Sequence, residues 1–311
     1  MDGGREGLVE AVMGFLAAGD LLSASGARAA LTREIEHAGA GALAALKERL
    51  AADHGWNFYP ADPLARRIHH VLADQFLAPG SQVQGIEHLE RIADRPVVIF
   101  ANHLSYADAN VIEVLLRRAG AGALADRLTA VAGPKIFTSR ERRFSSLCFG
   151  TIKVPQSADV SSEEAVLNAR EVARASRQSI DVAHERLRTG DALLLFAEGT
   201  RSRTREMQRM LPAVARYLDG PSAWLLPIGL SGSEALFPVG DTTIRPARII
   251  VRIGVPSPTA ALIAKAGGDR RLIMDAIGLS IAALVPASYR GVYGNEQDFA
   301  DAALLARERL S

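Results

Sequence analysis

The 311-residue chain has a single cysteine, almost no net charge and no apolar run long enough to span a bilayer. Each shortage excludes something. Cys148 has no partner for a disulfide within the chain, and its apolar setting, Leu147-Cys148-Phe149, reads as packing in a protein suited to a reducing cytosol. Thirty-six Lys and Arg stand against 35 Asp and Glu, a net charge of +1, and the two signs interleave. No nucleic acid or other acidic polymer is therefore implied as a partner. A spanning helix needs roughly 20 apolar residues. The nearest stretch, Leu8 to Leu22, is broken by Glu10, Gly14, Gly19 and Asp20, and the N-terminus lacks the basic start of a signal peptide. A cytoplasmic protein is expected, free or peripheral at a membrane surface.

Familiar motifs of other chemistries are also missing. His69-His70 are adjacent, which places them on different faces of a helix, and no cysteine lies near to suggest zinc; no metal or cofactor is called for. Gly229-Leu230-Ser231-Gly232-Ser233 fails as a nucleophile elbow because it closes on serine. Gly120-Ala121-Gly122 lacks the third glycine of a dinucleotide loop. There is no internal repeat and no low-complexity tail.

What is present divides near Pro79-Gly80. Before it lie alanine-rich helical patterns at Glu6 to Ala18, Ala27 to His37, Gly41 to Asp53 and Pro63 to Phe76, separated by turn residues. They predict a small N-terminal helical bundle over 1–80. Glu6 to Leu22 reads alternatively as an interfacial helix. After Gly80, strand patterns at Pro96–Ala101, Leu128–Ala132, Gly150–Val154, Asp191–Phe196, Ala223–Gly229 and Arg248–Ile253 alternate with helical ones. The expectation is an α/β domain over 81–311 with a mixed, largely parallel sheet flanked by helices. One helix is signposted by a capping box in Ser161-Ser162-Glu163-Glu164 and a stop at Gly190. Another is expected to begin near Glu206.

Two short stretches carry the chemistry. Asn102-His103-Leu104-Ser105-Tyr106-Ala107-Asp108 follows a strand of β-branched residues and leads into a helix whose apolar positions are Val111, Ile112, Val114, Leu115 and Leu116. His103 thus falls just past the carboxyl end of a strand, where open α/β sheets place their sites, and Asp108 can turn back to fix the tautomer of its ring. Phe196-Ala197-Glu198-Gly199-Thr200-Arg201-Ser202-Arg203 ends a second buried strand. It offers a carboxylate, a flexible glycine and arginines, the side chains that bind phosphate oxygens bidentately. Arg205 and Arg209 extend the basic run, which otherwise reads as a solvated face. A base to deprotonate an alcohol and a grip on phosphate, brought together, describe acyl transfer to a phosphate-bearing alcohol. Arg140, Arg142 and Arg143 form the one dense basic cluster; it reads as a solvated turn, or as a dock for the donor's phosphates or an acidic carrier protein.

Asn-His-x4-Asp followed about ninety residues later by Phe-x-Glu-Gly-Thr-Arg-Ser resembles the glycerolipid acyltransferases. Gly150-Thr151-Ile152-Lys153-Val154 looks like the second block of that superfamily, and Trp224-Leu225-Leu226-Pro227-Ile228 like the fourth, so the resemblance covers roughly residues 85–255. The helical segment ahead of these blocks is similar in layout to the soluble plastid-type glycerol-3-phosphate acyltransferases. This chain departs from the pattern at Ala197, where the family usually has proline, and near Gln156, where the second block commonly ends in arginine. Lys153, or Lys135 in Gly133-Pro134-Lys135, is the candidate for the missing charge.

The resemblance implies an acyl-CoA or acyl-carrier-protein donor and, as acceptor, glycerol-3-phosphate or a lysophospholipid such as lysophosphatidate. It implies His103 as general base and Asp108 as its orienting acid. Glu198 and Thr200, with Gly199 in the turn, hold the acceptor's other hydroxyl, and Arg201 holds its phosphate; Arg203 is a second phosphate candidate. A thioester is already activated, so no covalent acyl-enzyme is needed. The alternative is a non-catalytic lipid- or acyl-carrier-binding protein on the same fold.

Overall fold

A computed structural model describes residues 7, 9, 12, 24–138, 140–155, 168–238 and 244–308. Helices α1 (Ala24–Ala51) and α2 (Pro63–Phe76) pack against each other ahead of most of the sheet. Helix α1 is two helical pieces: Gly39, at φ 75° and ψ 170°, breaks it at the turn expected between the second and third helical patterns. Helix α2 starts as its sequence dictates. Asp62 caps it by accepting from the Leu64 and Ala65 amides, and Pro63 occupies the first turn, where no donor is needed. The pattern at Glu6 to Ala18 lies outside the described residues except for 7, 9 and 12, which are helical.

Among the described residues nine strands form one sheet: β1 (Phe58–Tyr59), β2 (Gln82–Gln84), β3 (Val97–Ala101), β4 (Leu128–Ala132), β5 (Gly150–Lys153), β6 (Ala192–Leu195), β7 (Trp224–Ser231), β8 (Ile250–Ile253) and β9 (Ser257–Pro258). Their order is β1-β5-β4-β6-β3-β7-β8-β2, with β9 also paired to β7. The five strands from β5 to β7 in that order run parallel; β1 pairs antiparallel to β5, β8 and β9 pair antiparallel to β7, and β2 pairs parallel to β8. The sheet is mixed and largely parallel, flanked by helices, as its alternating pattern implies. Every residue of β3 is fully buried, which explains its run of Val, Val, Ile, Phe and Ala: a central parallel strand is covered on both faces.

Helix α3 (Asp108–Arg118) follows β3, the short α4 (Gly122–Asp126) precedes β4, α5 (Arg140–Ser146) precedes β5, and α6 (Ala169–Arg188) joins β5 to β6. Beyond β7 come α7 (Ser233–Leu236), α8 (Thr259–Lys265), α9 (Arg270–Ala282) and α10 (Ala300–Glu308). The chain leaves β3 toward one side of the sheet and leaves β6 toward the other. Connections that leave two adjacent parallel strands in opposite directions mark the switch point at which open α/β sheets form a crevice, here at the carboxyl ends of β3 and β6.

Two expected helix starts need correction. Helix α6 begins at Ala169 behind a capping box made by Asn168 and Glu171, while Ser161 to Glu164 lie outside the described residues. No helix begins near Glu206. The amides of Met207, Gln208 and Leu211 donate to the Tyr289 carbonyl, the Glu198 carboxylate and the Ala197 carbonyl, so distant partners take the bonds a helix would use internally. A 3-10 turn, Pro212–Leu218, follows instead. The sequence pattern also missed β1, β2 and β9, whose two or three residues each are too few for an alternation to register.

Candidate active site

His103 stands immediately beyond β3 and α3 opens at Asp108, so the turn between strand and helix carries both groups. The ring and the carboxylate meet: His103 Nδ1 and Asp108 Oδ2 are 2.9 Å apart. Asp108 is fully buried, and its position is heavily determined. Oδ2 also accepts from the Leu104 and Ser105 amides at 2.7 and 2.9 Å, while Oδ1 accepts from the Ser233 hydroxyl at 2.6 Å. A carboxylate only accepts, so Nδ1 carries the ring proton and Nε2 is left with a lone pair. Nε2 makes no hydrogen bond among the described residues, and the His103 side chain keeps 19% of its surface open to solvent. The Phe196 ring stacks on the imidazole at 4.3 Å and holds its plane.

Glu198 follows β6, the strand adjacent to β3. It is 5% exposed, and both oxygens accept from main chain: Oε1 from the His103 amide at 2.8 Å, Oε2 from the Gln208 amide at 2.7 Å. It therefore ties the end of β3 to the loop after β6. Burial pushes its carboxyl up to about 7, with a smaller push from Asp108, against the pull of the two amides. The Ser202 amide donates to the His103 carbonyl at 2.8 Å and closes the same tie from the other side.

Gly199 turns the chain at φ 76°, in the left-handed region, and both it and Thr200 are exposed. Arg201 lies over the Tyr106 ring, its guanidinium carbon 3.4 Å from the ring centre. Burial and then the charge of Arg142 depress its pKa, against the favourable effect of Tyr106. Among the described residues Arg201 has no ion-pair partner. Arg203 is exposed, whereas Arg209 is spent on a bidentate pair with Asp275, at 3.2 and 2.6 Å.

Lys135 follows β4 and Lys153 is the last residue of β5, so both stand at carboxyl ends of parallel strands, but farther along the sheet. Lys153 is three strands from β3, roughly 14 Å at about 4.8 Å per strand. It pairs with Asp53 at 3.3 Å and lies over the Trp56 and Phe137 rings. Gln156 is outside the described residues. A separate cavity of about 570 Å³ opens between α1 and α2, away from these groups, beside Glu34, His37, Arg49 and Arg67.

The sequence pattern did not reveal several supporting groups. Asn102 exchanges two hydrogen bonds with the Leu230 backbone, at 2.9 and 2.7 Å, and so staples the end of β3 to β7. Ser233, the last residue of the rejected elbow-like run, supports Asp108; only the fold brings them together across 125 positions. His69 and His70, expected on different helix faces, both reach the buried Glu113 of α3, at 3.6 and 3.0 Å. Cys148 is buried, as expected, and burial pushes its thiol pKa far up.

The assembled groups are an imidazole held in one tautomer and, in the loop after the adjacent strand, Arg201. Comparison with curated proteins finds no match. Among solved structures the chain is similar to the 1-acyl-sn-glycerophosphate (LPA) acyltransferase PlsC from Thermotoga maritima, at 18% identity and a TM-score of 0.48, covering 90% of this chain and 96% of that one. Residues 80–229 match the family model described as Acyltransferase, a span that holds His103, Asp108, Glu198 and Arg201. Over that span the chain is thus similar to the acyltransferases, the family that its sequence resembles.

Proposed function

We propose that this protein transfers a fatty acyl group from an acyl-CoA or acyl-carrier-protein thioester to a hydroxyl of glycerol-3-phosphate or a lysophospholipid. The observation that carries the reading is the His103–Asp108 pair at 2.9 Å, with Nδ1 engaged and Nε2 unengaged beside the crevice. His103 Nε2 takes the proton of the acceptor hydroxyl as its oxygen attacks the thioester carbonyl. The tetrahedral intermediate collapses with cleavage of the carbon–sulfur bond, and the imidazolium returns the proton to the departing thiolate. Asp108 keeps the ring oriented and stabilises the imidazolium. General-base help of this kind contributes about 10²–10⁴-fold, and alignment of two bound substrates contributes more.

Arg201 holds the acceptor phosphate, with Arg203 at the rim. Glu198 acts through the main chain of His103, because its two oxygens are occupied by amides. Gly199 and Thr200 border the acceptor, and Lys135 and Lys153 contribute long-range positive charge. The test is a panel that crosses glycerol-3-phosphate and lysophosphatidate with acyl-CoA and acyl-carrier-protein donors and follows release of free thiol. Acceptor-dependent release is expected with at least one pair. Thiol release indifferent to every acceptor would reject the reading.

A further inference from the structure

We propose that Arg142 is a second cation of the acceptor seat. With Arg201 it selects a doubly charged phosphate monoester over a singly charged phosphodiester. The inference rests on the proposed function, since it takes Arg201 as the phosphate ligand and asks what stands beside it.

Two members of the basic cluster, Arg142 and Arg143, have different roles. Arg143 is 4% exposed and looks inward: its guanidinium donates to the Arg49 and Ala52 carbonyls and lies over the Tyr59 and Phe137 rings. It holds α5 against the end of α1. Arg142 reaches elsewhere. Its guanidinium carbon is 4.6 Å from the centre of the Tyr106 ring, and one N–H donates to the Lys135 carbonyl at 3.3 Å. Tyr106 is the ring that Arg201 covers at 3.4 Å, three residues beyond His103.

Three separate segments thus converge: α5 brings Arg142, the loop after β6 brings Arg201, and the loop after β3 brings the ring that both touch. The two guanidinium carbons are no farther apart than the sum of their distances to that ring. In this proposal a phosphate lies between them, accepting from both through charge-assisted bonds of about 2.7–2.9 Å. Two cations this close repel, and the Arg142 charge is among the causes that depress Arg201. A dianion relieves the repulsion more fully than a monoanion, and the fixed planar forks of two arginines supply donors for several of its oxygens.

The test uses the full chain and four acceptors: glycerol-3-phosphate and lysophosphatidate as monoesters, and their glycerol-capped diesters. Arg142→Ala is expected to raise KM for the monoesters by about 10- to 100-fold, the value of a hydrogen-bonded charged contact. It should also cut the monoester-to-diester preference in kcat/KM by about tenfold or more, and Arg142→Lys should restore part of that preference. Equal losses for monoester and diester would overturn the proposal and leave Arg142 as a brace for the turn at Lys135. So would an unchanged preference in Arg142→Ala alongside a lost one in Arg201→Ala. If the wild type acylated none of the four, the proposed function would fail on its own. Calorimetric titration with glycerol-3-phosphate would then read the seat directly: binding that Arg142→Ala weakens supports it, and absent binding, or binding indifferent to the change, overturns it.

Discussion

At the scale of single residues, the site divides into groups that face the crevice and groups that hold them. His103 and Arg201 face it; Asp108, Glu198, Asn102 and Ser233 are buried and hold. The holding groups have distinct tests. Asp108→Asn should lower kcat steeply, because an amide can also donate to the ring and so favours the wrong tautomer; a steady-state kinetic comparison with the wild type checks it. Ser233→Ala removes one of the hydrogen bonds to a fully buried carboxylate, which costs on the order of 1–3 kcal/mol in urea unfolding. Glu198 predicts a pH dependence. Its folded pKa, about 7, is above the unfolded value of 4.5, so the native state holds the proton more tightly. The stabilisation from that proton is complete below about 4.5 and is lost as pH rises toward and through about 7. Glu198→Gln should flatten this part of the profile, by on the order of 2–3 kcal/mol between pH 4.5 and 8. Unfolding midpoints of wild type and variant across that range measure it; parallel profiles would show that Glu198 stays ionised throughout.

At the scale of elements, the legible parts were those whose information is local. Val97 to Ala101 and Ala192 to Leu195 are uniform apolar runs because both faces of these strands are covered, and such runs show in sequence. The His103–Asp108 pair was legible because a single turn separates its members. The illegible parts depend on distant partners. The segment after Arg203 looks helical by composition, yet its amides go to Glu198, Tyr289 and Ala197, which no local pattern encodes. The role of Asn102 was hidden in the same way, since Leu230 lies 128 positions away. Asn102 also carries the element-scale prediction. Next in sequence to His103, it satisfies a buried amide and a buried carbonyl of β7 with its two bonds. Asn102→Ala orphans both and should destabilise the protein by on the order of 2–4 kcal/mol in urea unfolding. A change under 0.5 kcal/mol would mean that water replaces both bonds.

At the scale of the whole molecule, the division proposed near Pro79-Gly80 separates helical from α/β sequence, yet packing runs across it. One hydrophobic cluster includes Leu31 and Ile35 of α1, Leu64 and Ile68 of α2 and the central strands. Tyr59 of β1 pairs with Thr151 of β5, and Glu113 of α3 draws in both histidines of α2. The two parts are predicted to unfold in one transition, with circular dichroism and tryptophan fluorescence giving coincident curves. Among the described residues no helix is long and apolar enough to cross a membrane. The proposed function turns on one imidazole nitrogen, so the most direct measurement is acceptor-dependent thiol release by His103→Ala. The account predicts a fall in kcat of about 10²-fold or more, with donor affinity and the unfolding midpoint little changed. A His103→Ala variant that retains wild-type kcat with its preferred acceptor would contradict it.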